Sequence, residues 1–135
     1  MNTFPLKIVT ADGLIYDGEA ERIVVRTTNG DIAILANHID CVAALGMGRA
    51  TLVDGFGNRR YAACIGGMLT VANGSVTLVP TTFEWADSID AARAQASQER
   101  AEKILHNKDA SATDVKLAQA RLHRALVRKS VAASK

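Results

Sequence analysis

The chain has 135 residues, 48% of them hydrophobic and 22% charged, proportions that suit one folded domain or a domain with a small appendage. No run approaches the roughly 18 apolar residues of a membrane-spanning helix, and "MNTFPLKIVT" lacks the basic, apolar and cleavage regions of a secretory signal, so a cytoplasmic protein is expected. The formal net charge is +2, unevenly spread: residues 1 to 87 hold six Lys and Arg against nine Asp and Glu, and residues 88 to 135 hold ten against five.

From Lys7 to about Pro80 the sequence reads as short segments rich in Val, Ile, Leu and Thr: "LKIVT", "GLIYDG", "ERIVVRT", "DIAIL", "GRATLVD", "RRYAACIG", "MLTVA" and "SVTLVP". The spacers "TADG", "TNGD", "DGFGN" and "ANGS" supply Asn-Gly, Asp-Gly and Gly-Asn pairs, which tolerate the positive φ of tight hairpin turns. About eight to ten strands with no intervening helical pattern predict an all-β antiparallel sandwich or flattened barrel over residues 1–86.

After Trp85 the hydrophobic period changes. Ser88 is the expected N-cap of a first helix through "IDAARAQASQERAEKILH", and "NKDAS" breaks it. Ser111, with Asp114 three residues on, resembles a capping box and opens a second helix, "ATDVKLAQARLHRALVRKS". The short connection predicts an antiparallel α-helical hairpin over residues 87–135. Its expected seam pairs Ala91, Ala94, Ala101 and Leu105 with Val115, Ala118, Leu122, Ala125 and Leu126. Small side chains bring helices close but remove little apolar area from water, so the hairpin is expected to open or repack at modest cost.

The chemistry-bearing residues cluster in this hairpin. Asp90 and Arg93 are three apart and share a helix face, with Arg100 farther along it, while Arg121, Arg124 and Arg128 form a second stripe. A solvated basic face is the plain interpretation. The sharper one is that guanidinium groups converging across two helices need an anion between them, and the planar fork of arginine suits carboxylate or phosphate. Cys41 and Cys64 lie in apolar surroundings with no partners at zinc spacing, so reduced thiols and no metal site are expected. His38, His106 and His123 have no serine, cysteine or carboxylate partner at a diagnostic spacing, which argues against an enzyme. A non-catalytic nucleic-acid-binding module using the basic tail is the alternative, weakened by an aromatic content of only 4%.

Taken together, these residues resemble the ε subunit of the F-type ATP synthase. "IVTADGLIYDGEAERIVVRTTNGDIAILANH" is similar to that family's opening, "IGGMLTVANGSVTLVP" to its later hairpin, and "IDAARA" at 89–94 to the pattern I/L-D-x-x-R-A found in bacterial members that bind ATP. The resemblance implies a regulatory ATP site made of Glu84 on the adenine side, Ile89, Asp90, Arg93, Ala94, Arg100, Arg124 and Arg128, with no metal required. No P-loop pattern is present, in keeping with a regulatory ligand. It also implies a rotor subunit that contacts the γ subunit and the c-ring, with Asp31 and His38 as contact residues. The hairpin would reach the α and β subunits of the catalytic head transiently and inhibit hydrolysis. No nucleic acid and no direct membrane insertion are implied, and the protein would be peripheral on the inner face of the bacterial plasma membrane. Ala36 and Asp40 stand where the family's loop usually carries proline.

Overall fold

A computed structural model describes residues 2–134. Seven strands are followed by two helices: β1 (Phe4–Thr10), β2 (Gly13–Thr27), β3 (Gly30–Leu35), β4 (Cys41–Ala44), β5 (Met47–Asp54), β6 (Arg59–Ala72), β7 (Ser75–Trp85), α1 (Ala91–Leu105) and α2 (Ala112–Ala132). The all-β sandwich and the helical hairpin are both present, but with seven strands instead of eight to ten. "GLIYDG" and "ERIVVRT" are one 15-residue strand, and "RRYAACIG" and "MLTVA" one 14-residue strand. The four-residue β4, conversely, lies outside the segments read from the sequence.

The long strands explain the shape. The first half of β2 pairs with β1, and its second half with β3 and β5. Strand β6 pairs with β5 through its first half and with β4 through its second. It changes partner at Gly66 and Gly67, whose φ values of 68° and 102° lie in the region glycine tolerates best. Strand β1 also runs parallel to β7, so β1, β7, β6, β5 and β2 close into a flattened barrel with β3 and β4 as flanks. Alternation sends Phe4, Leu6 and Ile8 inward from β1, where they meet Ile23, Val25, Ile34, Leu52, Leu69 and Leu78 in one core.

The helices begin where side chains can satisfy their first amides. Asp90, and not Ser88, caps α1: its carboxylate accepts from the backbone N–H of Arg93 at 3.0 Å, while Ser88 lies in a preceding 3-10 turn, Ala86–Ser88. Ser111 caps α2 as expected, its hydroxyl accepting from the N–H of Asp114 at 3.1 Å. Ala94 and Ala101 on α1 and Ala118 and Ala125 on α2 are buried, whereas Ala91 and Leu126 are exposed and outside the seam. Leu126 instead borders a surface hollow with Arg49, His123 and Val127. The hairpin is docked on the barrel. Val131, fully buried, sits among Ala63 of β6, Ala86 and Ile89, with Tyr61 and Val127 around them.

Candidate functional site

Each helix of the hairpin contributes one face to a cleft of ≈ 360 Å³. From α1 come Ser97, Arg100, Ala101 and Ile104, and from α2 come Arg121, Arg124, Ala125 and Arg128. Both sets follow the spacing i, i+3, i+4, i+7, which places four side chains on one side of a helix. Ala101 and Ala125, each 2% exposed, form the floor because only methyl-sized groups leave room above a close helix crossing. The walls are guanidinium groups.

Four arginines and no carboxylate line this cleft. Two of them have neighbours that fix their direction. Arg100 donates from Nη2 to Ser97 Oγ at 3.2 Å, one turn back on the same helix. Arg128 donates from Nε to Glu84 Oε1 at 2.6 Å, and its Nη2 also meets that oxygen, so the last strand of the barrel is tied to α2. Lys129 donates to Gln98 Oε1 at 2.8 Å across the helix pair. Glu84 therefore neutralises Arg128 from the barrel side, leaving Arg100, Arg121 and Arg124 without a carboxylate within ion-pair distance among the described residues. Like charges held together over an apolar floor favour an anion that can accept several N–H groups at once. Among the described residues no group of three or more His, Cys, Asp and Glu side chains is placed to share a metal ion.

The structure brings together only part of the residue set expected from the sequence. Arg100, Arg124 and Arg128 line the cleft, and Glu84 is joined to it through Arg128. Arg93 is exposed and does not line it; its backbone, not its side chain, meets Asp90. Ile89 and Ala94 are buried in packing roles, the first against Val131 and the second in the helix seam. Arg121, which its spacing placed in the basic stripe but which the ATP set implied by the resemblance leaves out, also lines the cleft. So does Ser97, which is absent from the expected residues although it shares the helical spacing of Arg100 and Ala101.

The other two expected contact residues lie on the barrel. Asp31, at the start of β3, forms an exposed ion pair with Arg26 at 2.9 Å. His38 donates from Nδ1 to the carbonyl of Ile39 at 2.8 Å, in a turn where Asn37 has φ 67°. Asp40, one of the two residues in proline positions, accepts from the N–H of Asn73 at 3.0 Å and so fastens this loop to the β6–β7 turn.

Comparison with known proteins settles the family. Residues 3–86 match the model "ATP synthase, Delta/Epsilon chain, beta-sandwich domain", and residues 87–133 match "ATP synthase, Delta/Epsilon chain, long alpha-helix domain". The chain belongs to the ATP synthase ε family. It is similar to the ATP synthase epsilon chain of Bacillus velezensis, at 42% identity over 98% of both chains, and to that of Ruminococcus albus, at 37% over the full length of both. Membership of the ATP synthase ε family makes it a non-catalytic subunit. The fold also matches a chain in the cryo-EM structure of the Euglena gracilis mitochondrial ATP synthase, with a TM-score of 0.84 at 20% identity, covering 98% of this chain and 82% of that one. No helix among the described residues is long and apolar enough to cross a membrane.

Proposed function

We propose that this chain is a central-stalk subunit of a bacterial F-type ATP synthase, with the barrel seated between the γ subunit and the c-ring at the inner face of the plasma membrane. Asp31 and His38 belong to its c-ring and γ contacts. The hairpin is its regulatory element: folded as described, it leaves the catalytic head free, and extended, it reaches the α and β subunits and inhibits hydrolysis. The observation that carries this reading is the arginine-walled cleft shared by two helices whose seam is alanine. Opening the hairpin dismantles the cleft, so any anion bound there stabilises the folded form.

ATP is the ligand proposed for that cleft. Its phosphates would engage Arg100, Arg124 and Arg128, and the base would face Glu84, while Arg93 swings in from the first turn of α1. A ligand that binds only the folded form stabilises it by about 2.7 kcal/mol at a hundredfold excess over Kd, shifting the conformer ratio roughly a hundredfold. The test is a titration of the isolated chain with ATP, with and without magnesium, followed by calorimetry and by a distance label pair across α1 and α2. Compaction with saturable heat, lost in Arg128→Ala and Arg93→Ala, is expected in both conditions. No heat at millimolar ATP would remove nucleotide sensing and leave the stalk role standing.

A further inference from the structure

The outer face of β3, β2 and β5 carries a feature that the cleft does not use. The register places Arg22 of β2 between Leu35 of β3 and Val53 of β5, and Val53 beside Arg59 of β6. These four side chains, with Glu21 and Asn2, line a hollow of ≈ 620 Å³. A β-bulge between Ala20 and Arg22 creates the arrangement. Ala20 and Ile23 are both fully buried, so the extra residue turns Glu21 and Arg22 together toward the outside. Without it, strict alternation would aim Arg22 into the core.

Two properties of this face are costly in the isolated chain. Leu35 is 53% exposed, and on the other side of Arg22 Val53 is half-buried. The Nε of Arg22 is shut off from water and has no hydrogen-bond acceptor among the described residues, a condition that is unfavourable for a buried donor. No carboxylate lies within ion-pair distance of Arg22 among the described residues, Glu21 included. A carboxylate arriving at the guanidinium tip would draw the side chain outward and give Nε the acceptor it lacks, since side-on carboxylate pairing uses Nε and one Nη together.

We infer that this face is a docking surface for an acidic, aliphatic protein segment, whose carboxylate takes Arg22 while its apolar side chains cover Leu35 and Val53. A polyphosphate or nucleic-acid strand fits less well. Glu21 stands beside Arg22 and repels a multiply charged anion, the two arginines are separated by Val53, and none of the residues named here is aromatic, so there is no ring for a base to stack on. The inference rests on the proposal that the chain works inside a larger assembly.

The test uses the intact ATP synthase purified from membranes of a strain carrying a tagged copy of the full chain. The wild-type chain is expected to be retained. Leu35→Asp and Arg22→Gln are each expected to lower retention at least about tenfold, with thermal unfolding of the isolated chains close to wild type. A photoreactive residue introduced at position 35 is expected to cross-link to an Asp- or Glu-bearing stretch of another subunit. Variants retained like wild type, or a cross-link only to lipid or to nothing, would overturn the docking surface while the stalk role stands. Loss of the wild-type chain from the purified complex would overturn the stalk role itself, and the docking surface with it.

Discussion

Arg128 shows how one side chain can serve two parts of the molecule. Its guanidinium is held by Glu84 from the barrel while it walls the cleft between the helices. The pair is about a third exposed, at 33% and 27%, so solvent screening limits its contribution to about 1 kcal/mol or less. Glu84→Gln should therefore leave barrel stability within that margin while loosening the hairpin; proteolysis of α2 at equal barrel unfolding temperature is the measurement, and an unchanged cleavage rate would refute the tether. Gly67 is a sharper case. At φ 102° an added Cβ would lie 2.1 Å from the carbonyl oxygen of Val79 and 2.6 Å from the Cα of Pro80, both backbone atoms that cannot step aside. Gly67→Ala should cost about 2–4 kcal/mol, from backbone strain and overpacking together, whereas Gly13→Ala, with open space around its Cβ but φ 125°, should cost about 1–2 kcal/mol. Denaturant unfolding of the two variants gives the comparison. At this scale the sequence told which arginines exist but not where they point. Asp90 and Arg93 are correctly spaced for an ion pair, yet the helix spends that carboxylate on the amide of Arg93, because capping an orphan N–H outweighs a solvent-exposed charge pair.

Elements were legible wherever period and punctuation agreed. Ser111 and Asp114 mark the start of α2 because a hydroxyl that accepts from the amide three residues on satisfies an N–H left unpaired in the first turn of a helix. The strand count is lower than the apolar segments suggest because glycine interrupts such a run without ending the strand. Gly18 lies inside β2, and Gly66 and Gly67 lie inside β6, so the backbone continues through each as strand. Continuity there depends on partners far along the chain, such as the Gly46 carbonyl that accepts from Gly66 N–H at 3.0 Å, and no local pattern encodes them. The helix seam was foreseen in kind but not in full: Ala94, Ala101, Ala118 and Ala125 are its buried members, and Leu126 turned outward. Close approach at Ala101 is what gives the cleft its floor. Ala101→Leu should force the helices apart at a cost of about 1–3 kcal/mol and weaken any anion bound above it. Faster amide exchange along α1 with slow exchange retained in β1 and β7 would support this; uniform protection of both elements would not.

In the whole molecule the barrel and the hairpin differ in how they are held. The barrel has a continuous core from Phe4 to Phe83. The hairpin meets it through the end of α2: Val131 among Ala63, Ala86 and Ile89, the Glu84 tether, and Arg49, which lies over Tyr61 and donates to Ser134 Oγ at 3.3 Å. Val131 is the fully buried member of this contact, flanked by Ile89, Val127 and Tyr61, and the rest are alanines and partly exposed polar groups; burying one valine is worth about 1.5–3 kcal/mol. A contact of this size is comparable with the ligand-driven shift proposed above. Val131→Asp places a carboxylate where no water reaches and should release the hairpin by more than the anchor supplies, since a buried unpaired charge adds its own penalty. The barrel core contains no part of that contact and should keep its unfolding temperature. Cys64 provides an internal gauge: burial pushes its thiol up to about 12, so it stays protonated and unreactive while the barrel is closed. Small-angle scattering of Val131→Asp should show an extended tail, with Cys64 still protected from alkylation at pH 8. If the tail remains compact, the hairpin is held by more than its last turn; if Cys64 reacts as the tail extends, the two parts unfold as one and a hairpin that opens alone is untenable.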